Sequence, residues 1–106
     1  MKMTVIAAAA IVLASSFGAA IAAGDAAAGK AKFAVCAGCH GPTGAGNEPL
    51  KYPKLAGLDE AYAAQQLRDF KSGKRNTPMA ATMKAMTAAL SDADMDNLGA
   101  YIATLK

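Results

Sequence analysis

Hydrophobic residues recur at spacings of three and four along several stretches of this 106-residue chain, a pattern typical of helices with one buried face. The first predicted helix begins after Asp25, whose carboxylate can cap its first turn, and runs from Ala26 to Val35 into the residues that follow. Gly29 and Phe33 lie four residues apart on one face of this helix. The face therefore combines a small residue with a large aromatic one.

The second predicted helix spans Asp59 to Ser72. Tyr62, Leu67 and Phe70 are expected to face the protein interior, because they fall at helical spacings among polar residues. Gly73 follows at the position where glycine commonly ends a helix, since it adopts left-handed backbone conformations readily.

The last predicted helix opens at Ser91, whose hydroxyl can cap it, with Asp94 three residues later. A full capping box prefers Glu or Gln at that third position, so the pattern predicts only the cap itself. The helix carries a continuous apolar stripe formed by Met95, Leu98, Tyr101, Ile102 and Leu105.

A methionine-rich stretch precedes this last helix. Met79, Met83 and Met86 fall at helical spacings, which usually indicates core packing because methionine fills irregular gaps well. Thr77 and Pro78 are a plausible cap and first residue of this helix. The thioethers are also candidate ligands for a soft metal centre.

The segment from Gly41 to Gly57 is predicted to be a loop, because its glycines and prolines break any regular period. No β-strand pattern, internal repeat or nucleotide-binding glycine motif follows the first 22 residues. The prediction for the fold class is therefore all-α.

Residues 1–22 have the features of a secretory signal peptide. Lys2 provides the positive start, Val5 to Leu13 is an apolar core, and Ala20-Ile21-Ala22 is a small-x-small cleavage motif. Cleavage is expected after Ala22, with Ala23 as the alternative. The uncharged run is also just long enough for a retained membrane anchor, although serines and a glycine interrupt it and no basic residue directly follows it.

Residues 23–106 would then form one small domain, for which a polypeptide core alone is marginal. The formal net charge of the whole chain is only +3, so charge alone identifies no class of partner. The basic residues are dispersed without interleaved aromatic residues, which argues against nucleic-acid binding.

Cys36-Ala37-Gly38-Cys39-His40 contains both cysteines and the only histidine of the chain. A Cys-x-x-Cys-His run is the attachment motif for haem c, in which both thiols bond to the haem and the histidine binds its iron. A redox pair, a disulfide or part of a zinc site are alternatives. Thioredoxin-like chemistry needs a βαβ context, and structural zinc usually needs four ligands, so both fit this chain less well.

These motifs occur in an order that resembles the short bacterial class I cytochromes c, and also each half of dihaem cytochromes c. The matching motifs are Cys36 to Gly41, Tyr52-Pro53-Lys54-Leu55-Ala56-Gly57, the methionine-rich stretch, and Leu90-Ser91-Asp92-Ala93-Asp94. The resemblance runs from about Gly24 to the end. It implies a cytochrome c domain over residues 23–106, wrapped around one covalently bound haem c.

The resemblance also implies the ligands of the iron. His40 would be the proximal ligand, with its Nδ1 proton donated to the carbonyl oxygen of Pro53 or a neighbour. The distal ligand stands eight residues before the serine of the Leu-Ser-Asp motif in similar proteins, and counting back from Ser91 gives Met83. Met79 remains a competitor.

In similar proteins a small residue and an aromatic residue of the first helix cross the last helix, so Gly29 and Phe33 are expected to meet its apolar stripe. Glycine inside a helix otherwise costs about 1 kcal/mol relative to alanine.

The expected function is a periplasmic, non-enzymatic electron carrier that passes single electrons between larger redox proteins. Partners would include a membrane cytochrome complex, a terminal oxidase, or a periplasmic reductase or dehydrogenase, with no nucleic acid and no membrane span after signal cleavage. The candidate charges around an exposed haem edge are Lys51, Lys54, Lys74 and Lys84. Two alternatives stay open: a haem subunit of a larger oxidoreductase, and a five-coordinate peroxidase-like or gas-binding protein.

Overall fold

The computed structural model describes residues 24–106. The predicted signal peptide, residues 1–22, lies outside the described residues. Four α-helices follow one another: α1 Ala26–His40, α2 Glu60–Ser72, α3 Ala80–Thr87 and α4 Asp92–Ile102, with a 3₁₀ turn at Glu48–Leu50 between α1 and α2. The described part of the chain has no β-strand beyond an isolated antiparallel bridge between Asn47 and Tyr52. The all-α prediction is confirmed.

Three helices begin at the polar residues that the sequence indicates. The side chains of Asp25 and Asp59 accept hydrogen bonds from the first-turn amides of α1 and α2. At α4 the Ser91 hydroxyl accepts from the Asp94 amide at 3.0 Å, while the Asp94 carboxylate accepts from the Ser91 amide at 3.0 Å. The capping box is therefore complete, with aspartate replacing the usual longer residue. Gly73 ends α2 in a left-handed conformation.

The crossing of α1 and α4 forms one side of the core. A Cβ atom on Gly29 would lie only 1.9 Å from the Asn97 carbonyl oxygen, so the two backbones approach more closely than any side chain permits. One turn further on, the rings of Phe33 and Tyr101 meet edge to face with their centroids 5.1 Å apart. The predicted contact between Gly29, Phe33 and the stripe on α4 is confirmed.

Helix α2 packs on α4 through small residues. Ala63 and Ala64 are buried, and a Cβ atom on Gly99 would lie 3.1 Å from the Cβ of Ala64. The prediction that Tyr62 faces inward is wrong, since that residue is 52% exposed. The alanines let α2 approach α4 closely, and this rotates the adjacent tyrosine towards solvent. The central cluster consists of Phe33, Ala63, Leu67, Met95, Leu98 and Ile102.

Charged side chains also join α2 to α4. Arg68 lies 2.8 Å from a carboxylate oxygen of Asp96 and 3.3 Å from one of Asp92. The hydrogen bond to Asp96 is the main reason why the pKa of Arg68 is raised. The charged guanidinium thus adds ion pairs to the contact between the two helices at the surface.

Helix α3 begins later than predicted. Thr77 and Pro78 are not its cap and first residue: the Thr77 carbonyl accepts a hydrogen bond from the Ala80 amide at 2.9 Å, which closes a turn. Met79 occupies the cap position and provides no side-chain hydrogen bond. Among residues 24–106, no helix has the length and apolar character needed to cross a membrane.

Candidate functional site

The Cys-x-x-Cys-His motif occupies the last turn of α1. Cys36 and Cys39 are three residues apart, which places both sulfurs on one side of the helix, and neither is bonded to another cysteine in the described region. Cys36 is partly buried and packs against the core cluster, whereas Cys39 is exposed. Burial, with a further contribution from Cys39, raises the pKa of the Cys36 thiol. The two thiols are thus available for bonding to one group alongside the helix.

The ring of His40 is oriented by the loop that follows. His40 is 5% exposed, and its Nδ1 lies 2.8 Å from the carbonyl oxygen of Pro53. A carbonyl oxygen can only accept a hydrogen bond, so Nδ1 carries a proton, and in the neutral ring Nε2 has the free lone pair. The predicted contact with Pro53 is confirmed, and the ring has the tautomer that a metal ligand needs.

The candidate distal ligands differ in their surroundings. Met83 is partly buried and packs against the same cluster that Cys36 contacts. Met79 and Met86 are 41% and 44% exposed. Met95 is 2% exposed within the core, and its position there is that of an ordinary core residue. Met83 is therefore the methionine of α3 that, like Cys36, packs against the core cluster.

Two large exposed apolar residues, on the helix that carries the motif and on the loop that follows it, were not predicted from the sequence. Val35, directly before the first cysteine, is 61% exposed, and Leu50, in the loop, is 57% exposed. Together with Met79 and Met86 they provide large apolar side chains at the surface of the elements that carry the motif, the loop and the methionines. The helical spacing gave no signal for them, because an isolated apolar residue on a helix or loop is common.

The predicted rim charges are all at the surface. Lys51 and Lys54 lie in the loop, Lys74 follows α2, and Lys84 lies on α3. Each of these four lysines is exposed. Residues 24–106 contain no group of three or more His, Cys, Asp or Glu side chains arranged to hold a metal ion.

The donor set fits a haem c: two free thiols on one helical turn, an imidazole with Nε2 available, and apolar side chains on the neighbouring elements. An all-α domain with this motif defines a haem c protein. Residues 26–106 match the family model described as "Cytochrome c", and the chain belongs to the cytochrome c family. Its cofactor is one covalently attached haem c.

Relatives include proteins of both similar and greater length. Cytochrome c-554(547) of Halothiobacillus neapolitanus is 50% identical over 93 residues, which cover 79% of this chain and 100% of that protein. Cytochrome c4 of Pseudomonas aeruginosa is 47% identical over 89 residues, 84% of this chain and 42% of the relative. A protein of Thiomonas intermedia named "Thiosulfate dehydrogenase electron acceptor" is 47% identical over 73 residues, 69% of this chain and 32% of that protein.

The fold is also similar to a solved structure. The crystal structure of reduced recombinant cytochrome c4 from Pseudomonas stutzeri superposes with a TM-score of 0.69 at 35% identity, covering 79% of this chain and 52% of that one. The predicted cytochrome c fold is thereby confirmed. The chain spans about half the length of this structure, and less than half of the cytochrome c4 relative from Pseudomonas aeruginosa.

Proposed function

We propose that this protein is an exported one-electron carrier that works in the periplasm between larger redox proteins and catalyses no reaction of its own. The observation that carries the proposal is the buried His40, which lies on the same helical turn as two free thiols. Its Nδ1 donates a hydrogen bond to the Pro53 carbonyl oxygen, which leaves Nε2 for a metal ion. A haem held in this way supplies an iron that alternates between ferric and ferrous states by one electron.

The polypeptide contributes a fixed environment. His40 is locked in one orientation by its hydrogen bond, and Cys36 joins the attachment motif to the packed core. Such rigidity keeps the structural change between oxidation states small, which favours rapid electron transfer. Apolar side chains on the elements that carry the motif would limit the access of water to a bound haem, and solvent exposure is one of the factors that set a reduction potential.

The decisive experiment is to express the chain together with a haem c maturation system and to record its optical spectrum. We expect protein recovered from the periplasmic fraction to show, after reduction, the spectrum of a low-spin haem c. Sequencing the amino terminus of the same material tests cleavage after Ala22 against cleavage after Ala23. Colourless protein under these conditions would contradict the proposal.

We further propose Met83 as the distal ligand, supported by its partial burial against the cluster that Cys36 contacts. Met83→Ala should lose the low-spin spectrum and lower the reduction potential, because a thioether ligand favours ferrous iron. Met79→Ala is the matched control and should keep both properties. The opposite result would assign the ligand to Met79, and retention of the low-spin spectrum in both variants would place the ligand elsewhere.

A dehydrogenase is the best-supported class of electron donor, because relatives named "Thiosulfate dehydrogenase electron acceptor" share 43% and 47% identity with this chain. The exposed lysines would steer an acidic partner surface and mainly change the rate of encounter. Stopped-flow reduction by such a dehydrogenase at low and high ionic strength tests this. A rate that does not fall with added salt would exclude charge steering.

The alternative from the sequence, a haem subunit of a larger oxidoreductase, makes a different prediction from a free carrier. Isolation of the protein from its native source distinguishes the two functions. A free carrier elutes alone, whereas a subunit co-purifies with a catalytic chain in fixed stoichiometry. A high-spin spectrum in the purified wild-type protein would instead favour the five-coordinate alternative.

A further inference from the structure

His40 is held by the following loop through two different groups. Its backbone carbonyl oxygen accepts a hydrogen bond from the Gly46 amide at 2.7 Å, and its ring Nδ1 donates to the Pro53 carbonyl at 2.8 Å. The residues from Gly46 to Pro53 therefore connect two hydrogen-bond partners of one histidine. The length of the ring hydrogen bond must depend on the shape of this connection.

The connection is closed by its own backbone. Asn47 and Tyr52 exchange two hydrogen bonds, from the Asn47 amide to the Tyr52 carbonyl at 2.7 Å and from the Tyr52 amide to the Asn47 carbonyl at 3.0 Å. Lys51 completes the turn between them in a left-handed conformation, with φ of 64°. Pro53 thus directly follows a closed turn and has little freedom to move by itself.

The other side of Pro53 is fixed as well. The amides of Leu55 and Ala56 both donate to the Gly44 carbonyl oxygen, at 2.8 and 3.0 Å. The acceptor of the His40 proton is consequently held from both directions by hydrogen bonds within the same loop.

Gly46 lies where these two halves of the loop come together. Its φ is +77°, and a Cβ atom there would be 2.7 Å from both the Lys54 amide nitrogen and the Tyr52 carbonyl oxygen, and 2.8 Å from the Pro53 carbonyl carbon. All three atoms belong to the backbone, so no side-chain rotation can relieve the contact. Any other residue at position 46 must push the segment that contains Pro53 away.

We propose that Gly46 is a positioning residue for His40, which sets the strength of the ring hydrogen bond and through it the reduction potential. This inference rests on the proposed role of His40 as the proximal iron ligand. A hydrogen bond from Nδ1 makes Nε2 a stronger electron donor, and a stronger donor stabilises ferric over ferrous iron. Displacement of the Pro53 carbonyl should therefore raise the reduction potential.

The test compares Gly46→Ala with Gly57→Ala in the haem-loaded protein. Gly57 is the matched control, because its φ is +89° and a Cβ atom there would meet nothing within 4 Å. Both variants place alanine in a left-handed conformation, but only Gly46→Ala displaces the segment around Pro53. We expect a higher reduction potential in Gly46→Ala, together with an exchange of the His40 Nδ1 proton at least about tenfold faster by NMR. Gly57→Ala should change neither quantity.

Equal potentials and equal proton exchange in the two variants would overturn the inference, provided that both keep a low-spin haem spectrum. That spectrum separates this result from a failure of the proposed function, in which the wild-type protein itself would lack haem.

If Gly46→Ala yields no folded protein, native-state hydrogen exchange of the wild type tests the inference instead. The His40 Nδ1 proton and the amides of Gly46, Asn47 and Tyr52 should open as one unit with a common free energy. Exchange of the ring proton independently of these amides would overturn the inference.

Discussion

The α1–α4 crossing and the loop from Gly41 to Gly57 both depend on glycine, but in different ways. At the crossing, Gly29 is helical and its missing side chain lets two helix backbones meet over a buried apolar cluster. In the loop, Gly46 has a positive φ and lies among backbone hydrogen bonds beside His40. The first region is stabilised mainly by apolar burial and the second by hydrogen bonds. Substitutions should accordingly affect unfolding in one region and the properties of the histidine in the other.

The largest effect on stability is expected from Phe33→Ala. Phe33 is 3% exposed and contacts Tyr101, so its truncation should lower the free energy of unfolding by about 3–5 kcal/mol. Leu50→Ala in the loop is the comparison, with an expected loss below about 1 kcal/mol because that side chain is already 57% exposed. Urea denaturation of the haem-loaded proteins measures both. Similar losses would remove the distinction between the two regions.

A smaller loss should follow Gly29→Ala. The added Cβ meets the Asn97 backbone, so α1 and α4 must separate, at a cost of about 1–3 kcal/mol. Ala31→Gly is the control at an exposed position in the middle of the same helix. That variant should lose about 0.5–1 kcal/mol from helix propensity alone. A gain in Gly29→Ala, measured by urea denaturation, would show that the crossing tolerates wider spacing.

Loss of the cap on α4 should have a moderate effect. Ser91→Ala removes the hydroxyl that accepts from the Asp94 amide and should lower the free energy of unfolding by about 1 kcal/mol. Thr82→Ala removes an exposed hydroxyl from the middle of α3 and should stay within about 0.5 kcal/mol of wild type. Equal urea midpoints for the two variants would mean that α4 is held by packing alone.

The smallest expected effect concerns pH. The hydrogen bond from the Ser91 backbone, assisted by Lys32, lowers the pKa of Asp94 below its ordinary value. The contribution of the Asp94 carboxylate to folding stability is therefore present above the ordinary aspartate pKa. It is lost as the pH falls through the lower pKa that Asp94 has in the folded protein. Asp94→Asn should show a shallower loss of melting temperature between pH 7 and about pH 3 than wild type. Parallel profiles would exclude this contribution.

The helix caps were easier to predict from the sequence than the contacts between helices. Asp25, Asp59 and Ser91 act on amides within the next turn, so their capping roles could be predicted without knowledge of the fold. Tyr62 was misplaced because the choice between it and the neighbouring alanines depends on how closely α4 approaches α2, which no local pattern records.

The candidate site shows the same limit. The attachment motif and the acceptor Pro53 could be identified, the first from spacing and the second from family resemblance. The exposed Val35 and the role proposed for Gly46 could not, because both depend on which segments the fold brings together. Thr77 and Pro78 likewise had the composition of a helix start, yet the chain uses them in a turn before α3.

The placement of both thiols on the final turn of α1 has a consequence for how the molecule operates in a cell. Thioether bonds attach the haem covalently to that helix. The haem therefore does not dissociate at extreme dilution, as a reversibly bound group would. A carrier of the kind proposed could therefore diffuse far from the place where its haem was attached and still retain that haem. Repeated cycles of reduction and oxidation would then require no new haem.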